Sequence, residues 1–295
     1  MLDRSADSIM ACGGSPRSAR SAESVPESLM SLLLLRLTIA FYSVGLLHSF
    51  LTIITRKKTL FRVALAGISL GFLCHLLAFS VAWFETGHPP ISELQEVLSF
   101  FALMIVLAFL LAYARYRLDS LSVFVFPLAF ILTLAANLTS EPSQPFPEML
   151  GSLWLYLHVP FIFLAYAAFF VAFASGLMYL IQENELKRRR PQAFYYRLPS
   201  LEVCDELGYR ALSIGFPLLT LGLVAGVLWQ APWELDKKII ASFGTWIVYA
   251  VLIAYRLSEG LRGRRAAWMS ILGFILILAV FFGTRSQGSA HPFIQ

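Results

Sequence analysis

The sequence is poor in charged residues, which make up 14% of its 295 positions, while 58% of the positions are hydrophobic. Soluble proteins carry about 25% charged and about 45 to 50% apolar residues. A single soluble core could not bury this many apolar side chains, so we expect a lipid bilayer to be the solvent. The net charge of +5 comes from Lys and Arg in short clusters between apolar runs. Such clusters are typical of membrane loops rather than of nucleic-acid binding.

Cysteine is also scarce. Only Cys12, Cys74 and Cys204 are present, and they lie far apart in the sequence. Neither a disulfide framework nor a CxxC redox pair can be built from this spacing. Cys12 has no apolar stretch before it, which argues against a lipoprotein anchor. Cysteine chemistry is therefore excluded as the function.

Long apolar runs are abundant, and each has the roughly 20 residues that a helix needs to cross a hydrocarbon core about 30 Å thick. The sequence predicts an all-α, polytopic membrane bundle with about eight transmembrane helices. The fifth run is longer than one span requires, so we expect this helix to tilt or to project past one face. The predicted spans are residues 30–54, 61–84, 94–113, 120–138, 152–182, 209–229, 239–256 and 267–284.

The connecting segments differ in basic residues, and this difference predicts the orientation. Residues 85–93 and 140–151 contain no Lys or Arg, and the segment after the sixth span has only Lys237 and Lys238. The segments after the odd-numbered spans are basic, which places them in the cytoplasm and both termini outside. The basic positions are Arg56, Lys57, Lys58, Arg115, Arg117, Lys187 to Arg190, Arg256, Arg262, Arg264 and Arg265.

This pattern divides the chain into three parts. Residues 1–29 are polar and serine-rich, so we expect a disordered segment. Met30, directly before the first apolar run, is a plausible alternative start. Residues 30–284 form the predicted bundle, whose first span is interpreted as a retained helix rather than a cleaved signal peptide. Residues 285–295 form an outer tail that carries His291.

Two histidines lie within predicted spans, where an ionisable side chain is costly and usually faces a partner or a cavity. His75 has no Lys, Arg, Asp or Glu near it in the sequence, and His48 lies closer to the cytoplasmic end of the first span. A neutral imidazole can be an axial ligand of haem iron, or it can hydrogen-bond a neighbouring helix. The sequence leaves both interpretations of His75 and His48 open.

Two further histidines are predicted at the outer face. His158 precedes Pro160, which cannot donate a backbone hydrogen bond and so loosens the helix locally. His291 follows the eighth span on the same side. Two imidazoles that converge from different helix ends suit bis-histidine haem ligation. They could also be an interfacial histidine and a tail histidine. His88, in a third outer segment, is expected to face solvent.

The short outer segment after the sixth span contains Trp229, Trp233 and Asp236. Indoles at this depth commonly anchor a helix in the membrane interface. They could also form an aromatic shelf against which a planar macrocycle stacks.

At these positions the chain resembles the cytochrome c assembly family of haem-handling membrane proteins, which includes CcsA, CcmC and HemX-like members. The resemblance implies that His158 and His291 are axial ligands of haem iron, that His75 matches the family's histidine within the membrane, and that Trp229, Trp233 and Asp236 belong to the haem-holding loop. The segments that carry it, in the family's order, are residues 87–96, 157–160, 165–166, 198–202, 215–216, 244–249 and 290–291.

The loop departs from the family pattern, because Leu235 and residues 236–238 stand where CcsA-like members have Trp-Asp-Pro-Lys. A shorter aromatic shelf would cover less of the macrocycle. We therefore expect the closer resemblance to be to HemX-like members.

The resemblance implies haem b as substrate or ligand, and a location in the bacterial inner membrane. The implied partners are lipid, a membrane protein of cytochrome c maturation and apocytochrome c. No nucleophile with a base and an orienting group is evident, so no catalytic residue is assigned. One alternative is a membrane regulator of a haem-synthesis enzyme that acts through residues 187–197. Another is a small-solute transporter, although the halves show none of the internal repeats common in transporters.

Overall fold

The computed structural model describes residues 29–55, 57–91, 93–139, 152–187, 198–229, 237–258, 260 and 262–285. These residues form eight α-helices and no strand, and each helix region is long and apolar enough to cross a membrane. The predicted all-α bundle is therefore confirmed. The helices are α1 (Leu29–Thr55), α2 (Lys58–Thr86), α3 (Leu94–Tyr116), α4 (Ser122–Leu138), α5 (Leu153–Lys187), α6 (Leu201–Trp229), α7 (Lys237–Ser258) and α8 (Arg264–Arg285).

The turn between α2 and α3 is fixed by local chemistry. Gly87 has a φ of 75° and donates its N–H to the carbonyl of Trp83, which ends α2 with a left-handed residue. Glu93 then starts α3 in a capping box with Glu96, in which each side chain accepts a backbone N–H of the other residue. These contacts satisfy backbone groups that the two helix ends would otherwise leave unpaired.

The bundle consists of two halves of four helices. In the first half, α1 packs along α2 and α4, and α3 packs along α4. In the second half, α5 packs most extensively along α6 and also contacts α8, while α7 packs on α8 and α6. The main contact between the halves is between α3 and α5.

Helix α5 is the most enclosed element of the bundle. Two-thirds (67%) of its most apolar window is buried, against 17 to 44% in the other helices. Its 35 residues measure roughly 50 Å at 1.5 Å per residue, which agrees with the prediction of a helix longer than one span. Side chains on α5 are therefore positioned by neighbours on several sides.

Helix α6 begins at Leu201, eight residues before the predicted start of the sixth span at residue 209. The extra turns contain Glu202, Asp205 and Glu206. The predicted span started after these charged residues, because it followed the apolar run. The helix itself continues through them, because backbone hydrogen bonds do not require apolar side chains. Leu207 and Gly208 are buried, so the extension packs on the bundle.

The antiparallel helices give the bundle two distinct ends. We call the end with Gly87, His158 and Trp229 the histidine end, and the end with Arg117 and Arg256 the basic end. The predicted N-terminal segment lies outside the described residues except for Leu29, and so does the C-terminal tail except for Arg285.

Candidate functional site

His158 lies near the start of α5, at the histidine end. It is half-buried, and the neighbouring Leu155 and Val159 are buried in the core, which fixes the rotation of α5 here. Pro160 stands within the helix and has no N–H to donate to the carbonyl of Tyr156. The packing of α5 thus directs the imidazole of His158 towards α6.

The imidazole of His158 contacts the backbone of α6. Its Nδ1 lies 2.6 Å from the carbonyl oxygen of Gly222. A Cβ atom placed on Gly226 would lie 2.6 Å from the same Nδ1 and 2.7 Å from Cε1. Real Cβ contacts are essentially never this short. Glycine at position 226 is therefore what lets the ring lie against α6.

The contact with Gly222 determines which nitrogen of His158 carries the proton. A carbonyl oxygen only accepts hydrogen bonds, so Nδ1 must be the donor. The neutral ring then has its lone pair on Nε2, which is the nitrogen that would ligate iron. Metal-ligating histidines usually donate their other N–H to a carboxylate or a backbone carbonyl in this way. The geometry of His158 fits an axial ligand of haem.

Trp229, which the family resemblance assigns to the same site, lies beside His158. The two ring centroids are 6.4 Å apart and the ring planes are inclined by 31°. The indole is at the last residue of α6, one turn beyond Gly226. The structure therefore brings together two predicted site residues, His158 and Trp229. The other predicted residues at this end, Trp233, Asp236 and His291, lie outside the described residues.

His75 has a different environment, in the first half of the bundle. Its Nδ1 lies 3.3 Å from the hydroxyl of Tyr42 on α1, and its Nε2 lies 2.7 Å from the hydroxyl of Ser99 on α3. The side chain is buried, with 1% exposure. Both ring nitrogens thus have hydrogen-bond partners on other helices, which is the bonding that the second interpretation of His75 predicted.

Aromatic rings connect the two halves between His75 and the histidine end. The ring of Phe79, one turn after His75, lies 5.1 Å from that of Phe100, which lies 5.9 Å from that of Phe163 on α5. Nearer the histidine end, Trp83 contacts Tyr156 of α5, with centroids 6.5 Å apart. His75 is therefore separated from the end of the bundle by layers of aromatic side chains, and the structure does not bring it together with His158.

The remaining described histidines make local contacts. His48 Nδ1 lies 2.9 Å from the carbonyl oxygen of Val44 in its own helix. His88 is half-buried in the turn after α2, with Nδ1 3.4 Å from the carbonyl oxygen of Pro89. Neither lies in a cluster with other metal ligands: among the described residues, no three His, Cys, Asp or Glu side chains form a group that could hold a metal ion.

At the basic end, the structure shows a charged pair that sequence reasoning missed. Arg256 of α7 lies 3.0 Å from Asp205 Oδ1 and donates to the Asp205 carbonyl oxygen at 2.7 Å. The same Oδ1 accepts the N–H of Gly263 at 3.0 Å. Only 5% of the Arg256 side chain is exposed. The sequence had indicated Arg256 as an orientation signal, but its guanidinium also connects α6 to α7.

Sequence reasoning also missed the glycines with which α6 faces α5. Gly208, Gly215 and Gly222 are seven residues apart, which places them on one face of a helix. This spacing was visible in the sequence. Their partners on α5 were not, because the register between two helices depends on tertiary packing.

Comparison with known proteins gives the family. The model of the cytochrome C assembly protein family matches residues 68–291. The chain is 25% identical to the cytochrome c biogenesis protein CcsA of Mesostigma viride over 272 residues, covering 82% of this chain and 89% of the relative. It is 30% identical to CcsA of Prochlorococcus marinus (strain MIT 9215) over 262 residues, covering 79% and 84%.

A solved structure has a similar fold. The cytochrome c heme lyase CcmF matches with a TM-score of 0.61 and 17% identity, and the match covers 98% of this chain and 54% of CcmF. The chain thus spans just over half the length of that protein. These matches give no support to a closer resemblance to HemX-like members. Because the family model covers most of the sequence, the chain belongs to the cytochrome c assembly protein family.

Proposed function

We propose that this protein handles haem in the biogenesis of c-type cytochromes, and that it holds haem at the histidine end of the bundle. Membership of the cytochrome c assembly family and similarity to CcsA proteins support the general role. The observation that carries the site is the imidazole of His158, which lies beside Trp229 with Nδ1 on the Gly222 carbonyl.

Bound haem would supply an iron that imidazole nitrogens ligate. His158 would hold it through Nε2, and His291 is the proposed second ligand. Trp229 would present an aromatic face to the macrocycle, with Trp233 and Asp236 completing the loop. The protein's own contribution is then to bind and orient haem, while the reactive chemistry belongs to haem and the acceptor's thiols.

The distribution of charge supports an orientation for this site. Arg115, Arg117, Arg264 and Arg265 are exposed at the basic end. Because cytoplasmic segments of membrane proteins are enriched in Lys and Arg, we place the basic end in the cytoplasm and the histidine end outside. Both termini then lie outside. The proposed location is a bacterial inner membrane, with haem b as the ligand and a maturation partner and apocytochrome c as the receiving proteins.

The test is an absorption spectrum of the purified, haemin-loaded protein. We expect a haem band in the wild type and its loss in His158→Ala and in His291→Ala. His48→Ala is the matched control, because His48 contacts the Val44 carbonyl of its own helix, and this variant should keep the band. A wild type without a band would reject haem binding. An unchanged band in both ligand variants would reject the site.

The second role that the sequence predicted is regulation of a haem-synthesis enzyme through the basic residues 187–197. Of these, Lys187 is described, and it pairs with Glu183 at 2.7 Å. Deleting residues 188–197 separates the two roles. The regulatory role predicts that this deletion changes the synthesis of haem precursors and leaves cytochrome c maturation intact. Haem delivery predicts that His158→Ala impairs cytochrome c maturation and leaves the synthesis of haem precursors unchanged.

A further inference from the structure

Helix α6 presents a row of glycines to α5, and each glycine receives a side chain. A Cβ on any of the last three would lie 2.6 to 2.7 Å from its partner on α5. The row therefore lets the two helix backbones approach closely and fixes their register. The pairs are Gly208 with Ser175, Gly215 with Phe169, Gly222 with Ile162, and Gly226 with His158.

The Gly226 end of this row differs from the rest in its chemistry. At Gly215 and Gly222 the side chain received is apolar, and the contact is packing alone. At Gly226 the side chain is the His158 imidazole, and the adjacent turn adds a hydrogen-bond acceptor, the Gly222 carbonyl oxygen, 2.6 Å from Nδ1. Two independent contacts, one steric and one polar, thus act on the same ring.

The Gly222 carbonyl can accept this bond without leaving its helix. In an α-helix it already receives the N–H four residues later, which is that of Gly226. A carbonyl oxygen has two lone pairs, so a second donor can approach from the side. A side chain at position 226 would occupy the space that the imidazole needs for this approach.

We infer that Gly222 and Gly226 are positioning residues for His158. They hold its ring against α6 with the proton on Nδ1, so that Nε2 is the nitrogen presented to iron. This inference rests on the proposed haem site for its purpose, but the tautomer and its dependence on Gly226 are properties of the haem-free protein. Groups that orient a metal-ligating histidine typically change metal affinity by about 10- to 100-fold when they are lost.

The first measurement uses the wild-type protein without haem. Nitrogen-15 NMR of histidine-labelled protein in lipid nanodiscs reports which ring nitrogen carries the proton, and His158→Gln identifies the resonances of His158. We expect the proton on Nδ1. A proton on Nε2 would overturn the inference, whether or not any glycine variant folds.

The second measurement compares two alanine substitutions on α6. Gly226→Ala and Gly215→Ala each bring a Cβ within 2.6 Å of a ring on α5, but only Gly226 faces His158. Both should lower the melting temperature. Only Gly226→Ala should change the His158 nitrogen resonances and raise the dissociation constant for haemin, by about 10- to 100-fold. If the two variants changed the His158 resonances and the dissociation constant for haemin equally, the glycines would serve only helix packing, and the inference would be overturned.

The two measurements also separate this inference from the proposed function. If the wild type bound no haemin but showed an Nδ1 proton that Gly226→Ala removed, the positioning would stand and the haem site would fail. If haemin bound through His158 while Gly226→Ala left both the resonances and the affinity unchanged, the haem site would stand and the positioning would fail.

Discussion

The first half of the bundle encloses its histidine, whereas the second half holds its histidine at one end. His75 is buried between three helices and bonds the side-chain hydroxyls of Tyr42 and Ser99. His158 is half-buried and bonds a backbone carbonyl through Nδ1. A hydroxyl can donate or accept, so it suits either tautomer, but a carbonyl selects one. The second environment therefore fixes one tautomer of its imidazole, with the lone pair on Nε2, whereas the first joins helices through an imidazole that can adopt either tautomer.

The halves differ in charge as well. Ser49 of α1 and Ser122 of α4 join the first half through a neutral contact of 2.6 Å between their hydroxyls. The second half is joined by the charged pair of Arg256 and Asp205. Removing one partner of a buried ion pair costs far more than removing a neutral hydrogen bond, because the remaining charge is left without compensation. The two halves should respond very differently to single substitutions.

The largest effect should come from Arg256→Ala. It leaves the Asp205 carboxylate, 18% exposed, without its cation, and we expect a loss of about 3 to 5 kcal/mol in the free energy of unfolding. Denaturation in mixed detergent micelles measures this. Arg210→Ala is the matched control, because the pair of Arg210 with Glu206 is exposed on both sides and should contribute nothing measurable. Equal losses of unfolding free energy in the two variants would show that the buried Arg256 pair stabilises the protein no more than the exposed Arg210 pair does.

A smaller effect is expected for His75→Leu. The substitution leaves the hydroxyls of Tyr42 and Ser99 without their shared partner, which should cost about 1 to 3 kcal/mol. If His75 only joins helices, the haem band should persist. Loss of the band in this variant, at a pH and temperature where it stays folded, would instead place His75 in the haem site, in line with its match to the family's histidine within the membrane.

A compensated variant provides the control for His75. Adding Tyr42→Phe and Ser99→Ala to His75→Leu removes all three polar partners together. Replacing both sides of a buried hydrogen bond by apolar groups of similar shape can be nearly neutral, so most of the lost stability should return. If it does not return, the cost of His75→Leu arises from packing rather than from unpaired hydroxyls.

The sequence predicted the helices well because length and apolarity alone determine whether a segment can span a bilayer. The exception was the start of α6, where Glu202, Asp205 and Glu206 continue the helix beyond the apolar run. Charge content could not reveal this, because the Asp205 carboxylate is stabilised by Arg256, 51 residues further along the chain.

The candidate site could be predicted only in part. His158 and Trp229 were proposed from residue type, position and the family resemblance, and the structure places their rings near each other. The contribution of Gly222 and Gly226 could not be predicted, because it depends on which residue of α5 faces which residue of α6. The seven-residue spacing of the glycines indicated a packing face, but it did not indicate that His158 would fill its last position.

The smallest effect is expected for Ser49→Ala, in the first half. The Ser49 hydroxyl bonds that of Ser122, which also donates to the Asp119 carbonyl oxygen at 2.6 Å. Polar contacts between membrane helices contribute about 0.6 kcal/mol on average, and Ser122 keeps its second partner, so a loss of about this size should appear in the same micelle assay. Ser43→Ala is the control, because Ser43 bonds carbonyls of its own helix and should show no loss. A loss at Ser49 as large as that of Arg256→Ala would remove the difference between the two halves, since neutral and charged contacts would then stabilise them equally.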